Sequence, residues 1–257
     1  MLWTQLVALV VAATAPASLS TAAPVVTPQT IGTWPHDPAA FTQGLVWHRG
    51  GFLESTGLYG QSSVRRVRLR DGRVLRIRRL PSRYFAEGLA LAAGRAVQLT
   101  WREHTAFVRS PTTFRVLRRQ TYRGEGWGLA SMGRRLVMSD GTATLRVLDP
   151  TTFRVIRRVR VTDAGTPVAL LNELEVVRGE IWANVWQTDD IVIINPRNGR
   201  VRVRLDLRGL KARLPAGGQV DVLNGIAWDR GRHRVYVTGK LWPRMFAIPD
   251  RPGVRSG

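Results

Sequence analysis

Along most of the chain, apolar and polar residues alternate in short runs. Arg65-Arg66-Val67-Arg68-Leu69-Arg70 and Val201-Arg202-Val203-Arg204-Leu205 carry the period-two alternation of strands with one solvated face. Gly, Asp, Pro and Asn punctuate these runs at turn spacing. No stretch shows a capped amphipathic helix. The most helix-like piece, Leu207 to Leu214, is kept short by Gly209 and Pro215. A second kind of run is an apolar strand headed by one or two polar groups. Phe41-Thr42-Gln43-Gly44-Leu45, Phe85-Ala86-Glu87-Gly88-Leu89, Glu125-Gly126-Trp127-Gly128-Leu129, Asn172-Glu173-Leu174-Glu175 and Asn224-Gly225-Ile226-Ala227-Trp228 all have this form. A carboxylate is a poor occupant of a buried strand unless something there uses it.

Repetition sets the architecture. Ser110-Pro111-Thr112-Thr113-Phe114-Arg115-Val116 returns as Asp149-Pro150-Thr151-Thr152-Phe153-Arg154-Val155, and looser copies lie at Asn195-Pro196-Arg197-Asn198-Gly199 and Arg70-Asp71-Gly72-Arg73. The polar-headed strands recur as well, at a spacing of roughly 40 to 50 residues, which is that of a four-stranded propeller blade. The body from residue 30 to 250 divides into five such units, so the expected fold is an all-β, five-bladed β-propeller. The strand near Thr30 to Trp34 is expected to complete the last blade and tie the ring shut. A sandwich gives no reason for this recurrence, and a parallel α/β fold needs helices that are missing.

Composition narrows the chemistry. The chain has 257 residues, 44% of them hydrophobic, and nine Trp, enough for one domain with a large core and an aromatic recess. It has no Cys and four scattered His, which leaves no thiolate or histidine set for zinc. The formal charge of +21 invites a nucleic-acid reading. Its arginines, however, run through every repeat on the solvated face of strands, so no specific nucleic-acid partner is expected. Weak attraction to acidic partners or membrane surfaces stays open. Residues 1–23, with the apolar core Leu6 to Ala13 followed by small residues, read as a secretory signal peptide. That implies a periplasmic or secreted protein without stable membrane insertion.

In a propeller the innermost strands line a central channel, so their polar heads converge. Gln43, Glu87, Glu125 or Trp127, Asn172 or Glu173, and Asn224 would form a ring at one mouth, with Trp101 and Trp186 as further walls. Such a ring either binds a ligand or merely satisfies strand backbone. No G-x-S-x-G elbow, His-Glu-x-x-His pair or phosphate-binding glycine loop is present. A reaction here would rest on acid–base work by Glu, with hydrogen bonds from amides, Trp N–H and lysine. Only Lys211 and Lys240 among the 39 basic residues are lysines, so Lys240, just before Leu241-Trp242-Pro243, suggests a required ammonium.

Several long motifs then carry a resemblance. They are Pro35-His36-Asp37-Pro38-Ala39-Ala40-Phe41-Thr42-Gln43-Gly44-Leu45, Phe85 to Leu89, Gln98-Leu99-Thr100-Trp101, Gly124 to Leu129, Leu171 to Glu175, Ile181 to Thr188, Leu223 to Trp228 and Thr238-Gly239-Lys240-Leu241-Trp242-Pro243. From about residue 30 to 248 the chain resembles the plant- and bacterial-type glutaminyl-peptide cyclotransferases. The resemblance implies a five-bladed propeller enzyme that acts on peptides or proteins with N-terminal Gln, forms pyroglutamate and releases ammonia. It implies that Glu87 is the acid/base and that Lys240 assists it. It places Phe41, Phe85, Trp101, Trp127 and Trp186 as walls, with Gln43 and Asn172 as hydrogen-bonding groups. No cofactor is required and no catalytic metal is expected; a structural calcium, carried by some relatives, is an option. The protein is expected to act as a monomer. Val176 stands where the family pattern suggests an aromatic. A non-catalytic peptide-binding propeller and a propeller hydrolase or lactonase are the alternatives.

Overall fold

The computed structural model describes residues 21–253; the expected export segment lies almost wholly outside them. A short strand β1 (Val25–Val26) and β2 (Gly32–Pro35) precede five consecutive blades. The first blade holds β3 (Thr42–His48), β4 (Gly51–Thr56), β5 (Ser63–Arg68) and β6 (Val74–Arg79). The second holds β7 (Ala86–Ala92), β8 (Arg95–Thr100), β9 (Thr105–Arg109) and β10 (Val116–Thr121). The third holds β11 (Leu129–Met132), β12 (Arg135–Met138), β13 (Thr144–Leu148) and β14 (Val155–Arg160). A small hairpin, β15 (Thr162–Asp163) and β16 (Thr166–Pro167), leads into the fourth: β17 (Leu171–Val177), β18 (Glu180–Val185), β19 (Asp190–Ile194) and β20 (Val201–Asp206). After the one-turn helix α1 (Arg208–Lys211), the fifth blade follows with β21 (Leu223–Asp229), β22 (Arg234–Gly239) and β23 (Arg244–Pro249).

Each blade is an antiparallel meander, and β3, β7, β11, β17 and β21 pack edge to edge around the axis. The ring closes as the repeat arithmetic requires. β2 supplies the outer strand of the fifth blade, with Gly32 opposite Ala247 and Pro35 opposite Arg244. The strand system also begins before the expected boundary at residue 30, because β1 runs parallel to β20 on the rim of the fourth blade. The repeated Ser/Asp-Pro-Thr-Thr-Phe-Arg segments are the β9–β10 and β13–β14 connections. In both, the Phe (Phe114, Phe153) takes a left-handed backbone and buries its ring beneath the turn. That shared geometry explains why the two copies are so alike.

The core is divided into clusters between neighbouring blades. Leu45, Phe52 and Tyr236 fill the junction of blades one and five, and Leu145, Leu174 and Ile181 that of blades three and four. At the closure a buried polar network joins the two ends of the chain. Glu54 accepts from His36 Nε2 at 3.0 Å, Thr42 Oγ1 at 2.7 Å and Arg65 Nε at 2.8 Å, while His36 Nδ1 lies 2.7 Å from the Trp242 carbonyl. Burial opposes the Glu54 charge, but Arg65 and His36 outweigh it and hold the carboxyl well below its ordinary range. This network fixes the Gly239–Pro243 loop, which carries Lys240.

Two glycines of the repeat are required by the closeness of the inner strands. A Cβ on Gly88 would lie 2.5 Å from the Leu129 nitrogen, and one on Gly128 2.0 Å from the Asn172 carbonyl. Where those strands leave regular pairing they turn their polar heads toward the axis. Register shifts fall between Thr42 and Gly44, Ala86 and Leu89, Leu171 and Leu174, and Leu223 and Ile226. They bracket Gln43, Glu87, Asn172 and Asn224. An irregularity of this kind re-aims one side chain without ending the strand.

Candidate active site

The nine residues that the resemblance placed in the site line one cavity of about 250 Å³ at the end of the channel where the inner strands begin, whereas the other ring candidates, Glu125, Glu173 and Asn224, are not part of its lining. Glu87 lies at its base, 5% exposed. Its Oε1 accepts from Gln43 Nε2 at 3.0 Å, and its Oε2, buried too, has no protein partner. Asn224 Nδ2 donates to the Thr42 carbonyl at 3.0 Å and to Gln43 Oε1 at 3.2 Å. That bond orients the Gln43 amide so that its NH₂ meets the carboxyl. Gln43 therefore positions Glu87 as well as lining the pocket. Asn172 is buried with its Oδ1 unpartnered, leaving an acceptor for a ligand N–H.

The walls are aromatic and mutually packed. Phe41 and Phe85 meet edge to face at 6.2 Å between centroids, Phe85 and Trp101 at 5.6 Å, and Trp127 and Trp186 at 5.5 Å. Lys240 Nζ sits 4.8 Å from the centre of the Phe41 ring, a cation–π distance. Burial lowers the Lys240 pKa, against the pull of Glu87 and Asp221. Burial also pushes the Glu87 carboxyl well above its ordinary value. Lys240 opposes that rise, while Glu125 and Glu103 add to it. The cavity thus holds a carboxyl poised to be neutral beside an ammonium whose charge is discouraged.

One expectation is corrected. Trp N–H groups were among the donors anticipated for a reacting oxygen, but the indoles of Trp101 and Trp127 are already committed. Both donate to Glu125 Oε2, at 2.7 and 2.9 Å, while Arg102 Nε holds Glu125 Oε1 at 2.9 Å. Arg102 also stacks on Trp101, 3.8 Å from the ring centre. Burial works against the Glu125 charge, yet the bonds from Trp127, Arg102 and Trp101 prevail and lower its pKa. Glu125 thus belongs behind the walls, not in the polar ring. Its sequence signal was only its place two residues before Trp127. Glu103 has a similar bracing role: it accepts from Tyr59 Oη at 2.8 Å and from the Phe85 nitrogen at 3.2 Å.

Among the described residues, no group of three or more His, Cys, Asp or Glu is placed to hold a metal ion. No helix there is long and apolar enough to cross a membrane.

A five-bladed propeller whose channel mouth is an aromatic cup around one buried carboxyl defines the class. Comparison with known proteins gives the family. The glutamine cyclotransferase family model matches residues 3–249. The chain is 42% identical over 224 residues to a glutaminyl-peptide cyclotransferase of Arabidopsis thaliana, covering 86% of this chain and 70% of that protein. A crystal structure of Myxococcus xanthus glutaminyl cyclase superposes with a TM-score of 0.82 at 39% identity, covering 88% of this chain and 97% of that one. The chain belongs to the glutamine cyclotransferase family, which is a family of enzymes.

Proposed function

We propose that the protein cyclises N-terminal glutaminyl residues of peptides to pyroglutamate, with Glu87 as the only acid/base. The observation that carries the reading is the partly satisfied Glu87 carboxyl: one oxygen fixed by Gln43, the other buried, unpartnered and facing the cavity. In the reaction the substrate α-nitrogen attacks its own side-chain amide carbon. A C–N bond forms, the carbonyl becomes a tetrahedral oxyanion, and the amide C–N bond then breaks. The α-nitrogen must lose a proton and the departing nitrogen must gain one. A single carboxyl between them serves both steps, because its elevated pKa lies closer to that of an amine than an ordinary carboxylate's.

The other lining groups supply confinement and charge. The packed Phe and Trp walls hold the glutaminyl chain bent, which favours ring closure over extended conformers. The unpartnered Asn172 oxygen accepts from the substrate's amine or amide. Lys240 faces the oxyanion and, through its charge, restrains the rise in the Glu87 pKa. This reading needs no zinc. Export from the cytoplasm follows from the N-terminal pattern and is part of the proposal.

The test is ammonia release from a Gln-initiated dipeptide, with and without chelator, against an Asn-initiated dipeptide of the same length. Release from the Gln peptide alone, unaffected by the chelator, is expected. No release under either condition overturns the reading in favour of a peptide-binding propeller, and release abolished by chelation overturns the metal-free mechanism.

A further inference from the structure

The +21 charge has no role in the pocket, and it is not evenly spread. Strand directions define two faces. The inner strands start at the mouth, so the β3–β4, β5–β6 and equivalent connections of the other blades lie on the opposite, basal face. Every hairpin connection on that face carries an exposed arginine. The five turns after the inner strands bear Arg49, Arg95, Arg134, Arg178 and Arg230, and the outer turns add Arg73, Arg115, Arg154 and Arg197.

The carboxylates of that face are all taken. Asp71 pairs with Arg68, Asp149 with Arg135, Glu180 with Arg202, Asp229 with Arg232 and Asp250 with Arg178. Arg49, Arg95, Arg115, Arg134, Arg154 and Arg230 have no carboxylate partner among the described residues. The mouth side carries more carboxylates, Glu103, Glu125, Asp140, Asp189, Asp190 and Asp206, most of them also paired with Arg or Lys, beside exposed arginines such as Arg83 and Arg123. The basal face therefore has fewer carboxylates to offset the arginines of its turns.

A second observation separates the occupants of such a face. Next to the basal turns, the outer strands β6, β10 and β14 each begin with exposed aliphatic side chains: Leu75, Val116 and Leu117, Val155 and Ile156, between 37% and 48% exposed. Arg76, Arg118 and Arg157 follow them directly. Exposed aromatics, on which nucleobases would stack, are missing from this face among the described residues; Phe114 and Phe153 are buried beneath its turns. Aliphatic groups beside unpaired guanidinium groups match the headgroup–acyl boundary of an anionic bilayer.

We propose that the basal face and its aliphatic rim form a peripheral docking surface for anionic lipid membranes, holding the mouth toward open solution. The test is co-flotation of the full chain with vesicles of phosphatidylcholine alone or mixed with phosphatidylglycerol. Binding is expected only with the anionic lipid. Each arginine near such a surface is worth roughly fivefold in partitioning. R134Q/R154Q should therefore weaken binding by about tenfold or more, whereas R83Q/R208Q, the same charge change on the mouth side, should leave it within about twofold. L117N/I156N should remove the part of the binding that survives added salt. All of these residues are exposed, and thermal melts confirm that the variants fold. Failure to bind anionic vesicles, or equal losses in the two arginine pairs, overturns the proposal. So does tighter binding to a short DNA duplex than to the vesicles at the same salt. None of these readouts depends on catalysis, so they stand apart from the cyclisation assay.

Discussion

Glu87→Gln is the perturbation that separates chemistry from folding most cleanly. The amide keeps the carboxyl's shape, and its oxygen retains the 3.0 Å bond from Gln43 Nε2. Its NH₂ takes the place of an oxygen that had no protein partner. The fold should survive while the proton carrier is lost. General acid–base catalysis by one positioned group is worth about 10²–10⁴-fold, so kcat/KM on a glutaminyl dipeptide should fall by that factor, or about 3–5 kcal/mol of barrier. Stability should move the other way. Burial lifts the Glu87 pKa above its ordinary 4.5, so between that value and the folded pKa the native state binds the extra proton. Its contribution is complete below pH 4.5 and is lost as pH rises through the folded pKa. The amide has nothing to lose. At pH 5 the variant and the parent should melt together. At pH 8 the variant should melt higher, by roughly 3–6 °C for each tenfold change in proton affinity. Matched calorimetric scans at the two pH values and a continuous ammonia assay measure both. Unchanged turnover refutes the catalytic assignment. A lower melting temperature at pH 8 refutes the strained carboxyl and shows instead that the Lys240 charge dominates.

Other residues give outcomes of different kinds. Glu125→Ala frees the Trp101 and Trp127 indoles and Arg102, and it also removes one of the charges that raise the Glu87 pKa. KM for the dipeptide should rise about tenfold with a smaller change in kcat, a loss on the order of 1–2 kcal/mol, and steady-state kinetics with tryptophan fluorescence will show whether the walls loosened. Glu54→Ala strips the partner from buried His36 and Arg65, so denaturant unfolding should lose about 3–5 kcal/mol. Because the Glu54 pKa is depressed, that contribution is present above pH 4.5 and lost on acidification, so the variant should show a shallower acid limb. Gly128→Ala drives a methyl to 2.0 Å from the Asn172 carbonyl, where only backbone can yield, and should cost at least about 1–3 kcal/mol in a thermal melt.

What the sequence disclosed follows the physics of repeats. Period-two alternation and the Ser/Asp-Pro-Thr-Thr-Phe-Arg copies identify strands and turns because they are local. Their spacing identifies blades because each blade solves the same packing problem. Gln43, Glu87 and Asn172 were legible because their inner strands present polar heads at equivalent positions, whereas Phe41, Phe85 and the roles of the lining came from the family resemblance. Relations between neighbouring blades were not legible. Nothing local says that Asn224 grips Gln43, across 181 positions, or that Glu125 gathers two indoles. Residues 24 to 29 precede the expected domain start at residue 30, yet two β-branched residues, Val25 and Val26, pair with β20, and no periodicity reports a strand that short.

The repeat is also informative where it breaks. Four blades place glycine directly after Gln43, Glu87, Trp127 and Asn224, whereas after Asn172 the fourth blade has Glu173. Its side chain points to the axis, where Oε1 accepts from the Leu45 nitrogen at 3.2 Å, and the Ile226 amide also supports it. Leu45 and Ile226 lie two positions after Gln43 and Asn224, so the Glu173 carboxyl sits below the layer of those two amides. Burial, with Glu175 adding to it, pushes its pKa well above the ordinary range, and the side chain occupies the axis beneath the pocket. A side chain on the axis beneath the pocket limits water below Glu87, and on the mechanism proposed above a drier floor favours an elevated carboxyl pKa. On the proposed mechanism the exception in blade four and the carboxyl in blade two belong together: the first fills the axis beneath the cavity in which the second would carry its proton.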